Sequence, residues 1–385
     1  MGLIDLRGQA VVRDLDGLIE HMGRFEIVPR FSAGIWYFSP AASRFHARYG
    51  RELGIEERLE TAGRLAAFGL SGIEAHYPNE INEENVGLWR SFCSATGIRL
   101  ITVIPLLFWD AAFEFGSLSN PDEGVRRMAI DRTIAALRLN RELATDFAVV
   151  WPGIDGYEHG FGMDFAGARR RFAEGLAEAM DAVPGVRIAF EPKPYEPRGR
   201  ILYGTTPEGV LLGRDVEAML RAEEHRRALA EGHAMCCMNP EVGHVLMGFE
   251  ELAYAFSWPL SEGRLAHTHW NSQPLGNYDQ DLGVGVMGTE QTEALVYTLK
   301  MHGYSGYFGI DINPERVPVD IAVRNSMDAI RAACERVQNL DHEAVLRSHM
   351  QPGAWRGWLE GYLVRVRAGW PASLGEWKKP GAART

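Results

Sequence analysis

The sequence is poor in features that would place the protein outside the cell or in a membrane. It has only four cysteines in 385 residues, and none of them forms a Cys-x-x-Cys pair or a zinc-ribbon spacing. The N-terminus lacks a basic segment followed by an apolar one, and no apolar run is long enough to span a bilayer. These absences predict a protein of the reducing cytoplasm, without a signal peptide or a membrane span.

The chain also lacks the concentration of positive charge that nucleic-acid binding requires. Acidic residues outnumber basic ones, 51 to 40, and the formal net charge is −11. Because Lys and Arg form no cluster on one face, nucleic acid is not an expected partner. The composition, 46% hydrophobic and 24% charged, is typical of a globular protein with a large core, and a barrel of this length can be one domain.

Short apolar runs alternate with helical patterns along most of the chain. The strand-like runs are Phe31–Trp36, Gly72–His76, Arg99–Phe108, Asp146–Trp151, Val186–Lys193, Ala234–Asn239, Leu265–Trp270 and Tyr307–Ile312. Eight strand–helix units in series predict an α/β fold, the (β/α)₈ TIM barrel. The competing fold is an open doubly wound sheet, but the Gly-rich phosphate turn that it usually carries after its first strand is missing. We expect an N-terminal arm over residues 1–30, the barrel over 31–340 and an extended C-terminal tail over 341–385.

Start and stop signals support the helices between these runs. Asn120 and Pro121 precede two acidic residues, a pattern that predicts an N-cap followed by proline at the first helical position. Thr206 begins a similar pattern. Gly232 and Gly303 stand where helices are expected to end.

One strand ends in opposite charges. Val186–Phe190 is mostly apolar and is followed by Glu191 and Lys193, which share one face because side chains alternate along a strand. Pro192 and Pro194 donate no ladder hydrogen bond, so the segment does not continue as a central strand. The simplest alternative to a functional site is a solvated ion pair on a turn.

Polar or aromatic side chains end the other predicted strands as well. In a TIM barrel the carboxyl ends of the strands converge on one site, so we expect these side chains to meet. The candidates are Trp36, His76, Trp109, Trp151, Glu191, Lys193, Glu241, His244, His267, His269 and Asp311. Each alone is more often a packing residue, but all the strands share the pattern.

Three further segments carry groups that bind metals. Residues 239–244 place a carboxylate and an imidazole together, residues 267–271 place two imidazoles on one strand face, and Asp279 and Asp281 alternate on a loop. With Glu191 and Asp311 they form an oxygen-rich set that suits Mg²⁺, Mn²⁺ or Co²⁺. Taken alone, Asp279 and Asp281 are equally well explained as surface acids.

The motifs in these segments resemble those of the xylose isomerase family. They are Glu191-Pro-Lys-Pro-x-Glu-Pro-Arg-Gly199, Asn239-Pro-Glu-Val-Gly-His244 and Tyr278-Asp-Gln-Asp-Leu282, and the likeness extends from about residue 30 to 340. The resemblance implies a TIM-barrel sugar isomerase. Such enzymes bind an open-chain aldose with two divalent metal ions, and a hydride shifts from C2 to C1 between dry aromatic walls.

The same resemblance implies a role for individual residues. Glu191, Glu241, His269 and Asp311 would hold the first metal, and Glu241 would bridge to a second metal bound by His244, Asp279 and Asp281. His76 would open the sugar ring and Lys193 would hydrogen-bond the sugar O1. The remaining substrate-binding residues would be Trp36, Phe108, Trp151, Asn271 and Asn313.

The chain departs from the family at three positions. His269 stands where the family usually has an aspartate, which raises the charge of the first site by one. Asn79 stands near the place of the aspartate that pairs with the ring-opening histidine, and the neighbouring Glu80 is the alternative partner. Asn313 replaces a lysine. Two of these changes touch groups that open or polarise the sugar, so we expect the substrate to differ from xylose.

Four functions are compatible with these residues. The leading interpretation is an aldose–ketose isomerase. One alternative is a lyase that resembles C-glycoside deglycosidases and would act on an oxidised sugar together with a small partner subunit. The others are an epimerase and a non-catalytic sugar-binding protein.

The C-terminal tail predicts that the protein forms an oligomer. Family members wrap a similar tail over a neighbouring subunit, and Trp355, Trp358, Trp370 and Trp377 need a surface to cover, so we expect a homotetramer.

Overall fold

Eight parallel strands form the expected barrel. The structure is a computed structural model that describes residues 3–40 and 47–368. The barrel strands are β1 (Arg30–Gly34), β2 (Leu70–Tyr77), β3 (Arg99–Pro105), β4 (Ala148–Val150), β6 (Ile188–Phe190), β8 (Cys236–Met238), β9 (His269–Trp270) and β10 (Tyr307–Ile310). A short antiparallel pair, β5 (Gly156–Tyr157) with β7 (Arg200–Ile201), links the loops that follow β4 and β6. The fold class predicted from the alternation of elements is therefore confirmed.

The strands pair in chain order and close into a ring. Parallel ladders join β3, β2, β1, β10 and β9 in one set and β4, β6 and β8 in another. A parallel bridge between Met238 and Leu265 connects β8 to the segment before β9. On the opposite side, the backbone N–H of Asp146 donates to the carbonyl of Ile101 at 3.1 Å, which joins β3 to β4. This closure points the carboxyl ends of all eight strands to the same face.

Helices surround the barrel and cover its apolar outer face. They are α1 (Leu15–Arg24), α2 (Ile55–Arg64), α3 (Val86–Thr96), α4 (Glu123–Glu142), α5 (Phe165–Ala182), α6 (Thr206–Met219), α7 (Glu223–Ala230), α8 (Val242–Met247), α9 (Leu252–Ser261), α10 (Thr289–Met301), α11 (Val319–Gln338), α12 (His342–Met350) and α13 (Pro352–Arg367). None of the helices among the described residues is both long enough and apolar enough to cross a membrane.

The helix signals are correct in kind and shifted by one or two residues. Helix α4 begins after Asp122 rather than after Asn120, because the Asp122 carboxylate accepts the backbone N–H three residues on at 3.0 Å. Helix α6 is capped by Thr205, one residue before the expected position. Gly232 and Gly303 follow α7 and α10 with φ of 84° and 69°, the left-handed conformation that ends helices there.

The N-terminal arm closes the lower end of the barrel. Leu6 joins an apolar cluster inside the barrel that includes Ile101, Phe147 and Tyr307. The buried Gln9 side chain pairs with the backbone of one residue: its Nε2 donates to the Leu265 carbonyl at 2.9 Å and its Oε1 accepts the Leu265 N–H at 3.2 Å. The N-terminal arm therefore packs against the amino ends of the strands, opposite their carboxyl ends.

The described part of the tail packs on its own chain. Trp358 is 8% exposed, stacks on Tyr362 with ring centroids 4.6 Å apart, and lies in a small apolar cluster beside Tyr297 of α10. Arg367 Nε lies 3.1 Å from a carboxylate oxygen of Glu293, also on α10. Trp358 is therefore covered by residues of its own chain. Trp370 and Trp377 lie outside the described residues.

Candidate active site

A cavity of about 260 Å³ opens at the carboxyl ends of the strands. The site residues predicted from the sequence line it except for Trp109, His267, Asn271 and Asn313. The lining residues are Trp36, His76, Ile104, Phe108, Val149, Trp151, Glu191, Lys193, Glu241, His244, His269, Asp279, Asp281 and Asp311. Residues from distant parts of the sequence therefore meet because each one follows a strand of the same barrel.

Four of these side chains form the first group that fits a metal ion. Ligand atoms of Glu191, Glu241, His269 and Asp311 all lie within 4.8 Å of one another. His269 Nδ1 faces two of the carboxylates, at 3.0 Å from Glu191 Oε2 and 3.2 Å from Asp311 Oδ2. The structure thus gathers the full ligand set that the family resemblance implied for the first metal.

A second group shares Glu241 with the first. It consists of Glu241, His244 and Asp279, again with ligand atoms within 4.8 Å. His244 Nε2 lies 3.2 Å from Asp279 Oδ2 and 3.4 Å from Glu241 Oε1. Asp281, expected as a further ligand, lies next to this group. Its carboxyl group contacts that of Asp279 and accepts a hydrogen bond from Asn271 Nδ2 at 2.8 Å.

The site concentrates negative charge in a buried place. Burial raises the pKa of Glu241 well above its ordinary value, and the carboxylates of Asp281, Asp279, Asp311 and Glu191 raise it further. Burial and the neighbouring Asp279 likewise raise the pKa of Asp281. Glu241 and Asp281 therefore favour their protonated forms unless a cation offsets the surrounding negative charge.

The donor set fits divalent cations. His269 Nδ1, His244 Nδ1 and Asp279 Oδ1 are buried and form no hydrogen bond to the described residues. Orphaned buried acceptors of this kind are costly unless something else satisfies them. Carboxylate oxygens with one imidazole per group suit Mg²⁺, Mn²⁺ or Co²⁺ better than metals that prefer thiolate. Cation binding would also release the protons that otherwise offset the carboxylate charge.

Lys193 occupies the cavity wall as a paired cation. Its Nζ lies 2.7 Å from Asp279 Oδ2 and 3.6 Å from Glu196 Oε2, and 5.2 Å from the centre of the Trp151 ring. Burial alone would lower the pKa of Lys193, but the carboxylates of Asp279, Asp281 and Glu196 outweigh it and raise this pKa. The amine therefore stays charged and can donate to an oxygen of a ligand.

His76 is oriented by Glu80, whereas Asn79 is exposed. Its Nδ1 lies 3.2 Å from Glu80 Oε2, and its backbone N–H donates to the same oxygen at 2.8 Å. The Glu80 carboxylate is buried and has Arg58 behind it at 3.8 Å. Glu80, which the sequence analysis offered as a substitute for the missing aspartate, thus provides the carboxylate partner of His76.

Aromatic side chains form one wall of the cavity. The ring centroids of Trp36 and His76 are 4.6 Å apart, and those of Phe108 and Trp151 are also 4.6 Å apart. Trp36 Nε1 donates to Asp311 Oδ1 at 3.2 Å. The expectation that Trp109 would join this wall is wrong: β3 ends at Pro105, the chain then leaves the barrel, and Trp109 is 74% exposed.

Two of the predicted residues lie beside the cavity instead of lining it. Asn271 is buried and its Nδ2 donates to Glu241 Oε1 at 2.8 Å as well as to Asp281, so it holds two candidate metal ligands. The backbone N–H of Asn313 donates to the Asp281 carbonyl at 2.8 Å. Both residues therefore support the ligand loop from outside the cavity.

Two supporting residues were missed by the sequence analysis. Asn239 Nδ2 donates to Glu191 Oε2 at 2.7 Å, and Glu74 contacts His267 and His269 inside the barrel. Asn239 opens one of the family motifs, so its position was a usable signal. Glu74 is an acidic residue within an apolar strand, a pattern that indicates a buried partner.

Comparison with known proteins identifies the family. Residues 62–340 match the family model described as xylose isomerase-like TIM barrel, and this match covers more than half of the chain. The chain therefore belongs to the xylose isomerase-like TIM-barrel family. Among curated proteins, xylose isomerase from Thermus thermophilus is 28% identical over 299 residues, which cover 72% of this chain and 70% of that protein. Xylose isomerase from Thermus caldophilus is 27% identical over the same length and shares.

The solved structures with similar folds that are described next are named as epimerases or epimerase-like proteins. A D-tagatose 3-epimerase-like protein has a TM-score of 0.57 at 17% identity, covering 80% of this chain and 99% of that chain. The 3-keto-D-glucoside 4-epimerase from E. coli has a TM-score of 0.54 at 15% identity, covering 79% and 100%. An L-ribulose 3-epimerase has a TM-score of 0.56 at 15% identity, covering 81% and 96%. At these identities the likeness establishes the fold.

Proposed function

We propose that this protein is a divalent-metal-dependent sugar isomerase that interconverts an aldose and a ketose. The observation that carries the proposal is the position of Glu241, which belongs to both groups of metal-ligating atoms in one cavity. A shared carboxylate suits two cations that act on adjacent oxygens of one substrate. The curated xylose isomerases, which are 27–28% identical, support the same class of reaction.

The residues of this chain would bind, orient and shield the sugar. When bound, the two cations would coordinate sugar oxygens and act as Lewis acids on them. The Lys193 ammonium would donate a hydrogen bond to O1. The wall formed by Trp36, Phe108 and Trp151 would exclude water from the reacting carbons, which is the condition for a direct hydride shift.

Ring opening would fall to the pair of His76 and Glu80. Glu80 accepts from His76 Nδ1, which leaves Nε2 as the nitrogen that exchanges a proton with the sugar ring oxygen or its hydroxyl. The carboxylate would stabilise the imidazolium that forms. Because His269 and Asn313 replace groups that the family uses near the sugar, we propose a substrate other than xylose.

The test is conversion of free sugars in deuterated water. Metal-free protein would be given Mg²⁺, Mn²⁺ or Co²⁺ with a panel of aldoses, and the products would be analysed by NMR. The proposal expects ketose formation that depends on metal, with no deuterium from solvent at the carbon that receives hydrogen. Absence of conversion for every aldose and cation would contradict it.

An epimerase is the second candidate. The solved structures with similar folds include epimerases. The first site of this chain also contains His269, at a position where the xylose isomerase family usually has an aspartate. Epimerisation through proton removal would incorporate solvent deuterium at the inverted carbon. The same experiment therefore separates the two reactions, and eliminated product from an oxidised glycoside would instead support the lyase alternative.

We further propose that the protein is a cytoplasmic homotetramer that needs no nucleic acid or membrane. The support is the family resemblance of the tail, together with Trp370 and Trp377, which follow Trp358 in the sequence. Light scattering on the full-length protein should give about four times the chain mass of 42.9 kDa. A single-chain mass would contradict this assembly.

A further inference from the structure

Glu74 lies behind the candidate metal site and outside the cavity. It stands in the middle of β2 with its side chain fully buried inside the barrel, and it does not line the pocket. A buried carboxylate is expensive unless its oxygens accept hydrogen bonds, so its contacts should reveal why it is there. Two of its partners are His267 and His269, which lie just before and in β9.

The carboxylate of Glu74 accepts from three donors. Oε1 lies 2.7 Å from Ser32 Oγ and 2.9 Å from His267 Nε2. Oε2 lies 3.0 Å from His269 Nε2. Because a carboxylate only accepts, both imidazoles must carry a hydrogen at Nε2. In the neutral imidazole that a metal requires, Nδ1 of His269 is then the lone-pair atom. This is the atom that faces Glu191 and Asp311.

The neighbouring strand leaves room for this cluster. A Cβ atom added to Gly309 of β10 would lie 2.7 Å from His267 Nε2, 2.9 Å from His269 Cδ2 and 3.0 Å from Glu74 Oε1. Its φ is not in the left-handed region, so backbone conformation does not explain the glycine. The absence of a side chain at this position is what allows the carboxylate and the two rings to meet.

We propose that Glu74 is the positioning residue of the first metal site: it holds His269 so that Nδ1 is the ligand, and it returns the negative charge that the site loses by having histidine in place of aspartate. The inference rests on the proposed metal dependence. The negative charge of the family's aspartate ligand is thus supplied here by Glu74, which lies behind the His269 imidazole instead of at the metal position. A nitrogen ligand supported in this way should favour Mn²⁺ or Co²⁺ over Mg²⁺.

The main experiment measures cation binding without sugar. Isothermal titration of metal-free protein with Mn²⁺ would be compared for the wild type and Glu74→Gln. We expect the first-site affinity to fall about 10- to 100-fold, because the amide cannot accept from both imidazoles. The affinity for Mg²⁺ should fall less than that for Co²⁺, and the visible absorption of bound Co²⁺ should change as the nitrogen ligand is lost.

A matched control is available in Asp155, another buried carboxylate. It accepts hydrogen bonds from Ser117 and Ser119 and does not line the cavity. Asp155→Asn should lower thermal stability and leave Mn²⁺ affinity within about twofold, as expected for a site with no shared contacts. If Glu74→Gln behaves in the same way, Glu74 is structural only and the inference is overturned.

A second measurement does not depend on the folding of Glu74→Gln. Long-range ¹H–¹⁵N spectra of histidine-labelled wild type with Mg²⁺ report which ring nitrogen carries hydrogen, and His269→Asn identifies the signal. The inference expects hydrogen on Nε2 of His269, and hydrogen on Nδ1 would overturn it. If the wild type binds no Mn²⁺ at all, the proposed metal dependence fails; if it binds Mn²⁺ and Glu74→Gln binds equally well, only the role of Glu74 fails.

Discussion

The two ends of the barrel differ in what their buried polar groups contact. At the carboxyl ends of the strands, Glu241 and Asp281 lie among other carboxylates, and burial raises the pKa of both. At the amino ends, Gln9 pairs its amide oxygen and nitrogen with the backbone of Leu265. Arg187, also buried, donates to the carbonyls of Ala234 and Ile4 at 2.8 Å each.

This difference indicates that one end of the barrel serves function and the other end serves stability. Groups that repel one another lower stability unless a ligand compensates them, whereas buried groups that are hydrogen-bonded stabilise the fold. Substitutions at the carboxyl ends of the strands, the upper end of the barrel, should therefore change metal binding and substrate turnover. They should leave the metal-free protein as stable as the wild type or more stable. Substitutions at the lower end should do the reverse.

The largest effect is expected at the shared ligand. Glu241→Gln should reduce turnover on the order of 10³-fold, since it removes a charge that serves both metal groups. The metal-free variant should unfold at a temperature equal to or above that of the wild type, because one buried carboxyl group leaves a negative cluster. Turnover and calorimetry would be measured together, with the exposed Glu223→Gln as the control. A variant that keeps turnover within tenfold would place the chemistry elsewhere.

The next effect concerns ring opening by His76. Glu80→Gln should slow turnover of a cyclic aldose about 10²-fold, because the amide orients the ring without stabilising its charge. An acyclic sugar of the same configuration should be turned over at the wild-type rate. Asn79→Asp is the control, and since Asn79 is exposed it should change neither rate. Equal slowing of the cyclic and acyclic sugars by Glu80→Gln would assign Glu80 a structural role instead.

At the lower end, Gln9→Ala should cost stability and nothing else. The change leaves the N–H and carbonyl of Leu265 without their partner, at a cost of about 1–3 kcal/mol in the free energy of unfolding. Val12→Ala, at a residue that is 96% exposed, should stay within about 0.5 kcal/mol. Denaturant melts give the free energies, and Mn²⁺ titration should be identical for both variants. A change in Mn²⁺ affinity in Gln9→Ala would break the division between the two ends.

The smallest effect is expected from a carboxyl group near the upper end but outside the cavity. Burial raises the pKa of Glu250 from 4.5 to about 7, although the backbone N–H of Thr206 opposes the shift. The protonated form therefore favours the folded state, and this stabilisation, complete below pH 4.5, is lost as the pH rises through about 7. Glu250→Gln should flatten that decline by about 1 kcal/mol after solvent screening. If the free energy of unfolding falls with pH equally in Glu250→Gln and in the wild type, this prediction is wrong.

Sequence reasoning located the residues whose position follows from the chain itself. Glu191 and Lys193 follow β6 within three residues, and a closed parallel barrel brings residues at the carboxyl ends of its strands together whatever their separation in sequence. Their motifs also resemble a known family. The fold and most of the cavity could therefore be predicted before any coordinates were known.

The misses share a physical reason, since they depend on directions that spacing does not specify. Whether Asn79 or Glu80 faces His76 depends on the turn after β2. Trp109 was expected in the wall because the end of β3 was placed three residues too late. Glu74 belongs to a strand whose inward side is recognised only when the opposite strand, with His267 and His269, is in place.

The central claim is that one cavity holds two cations that share Glu241. The most direct test is the number of metal ions bound per chain, measured by equilibrium dialysis of metal-free wild type against saturating Mn²⁺, followed by elemental analysis. The shared-ligand arrangement predicts two ions per chain in the wild type and fewer than one in Glu241→Gln. A wild-type value of one or less would contradict it.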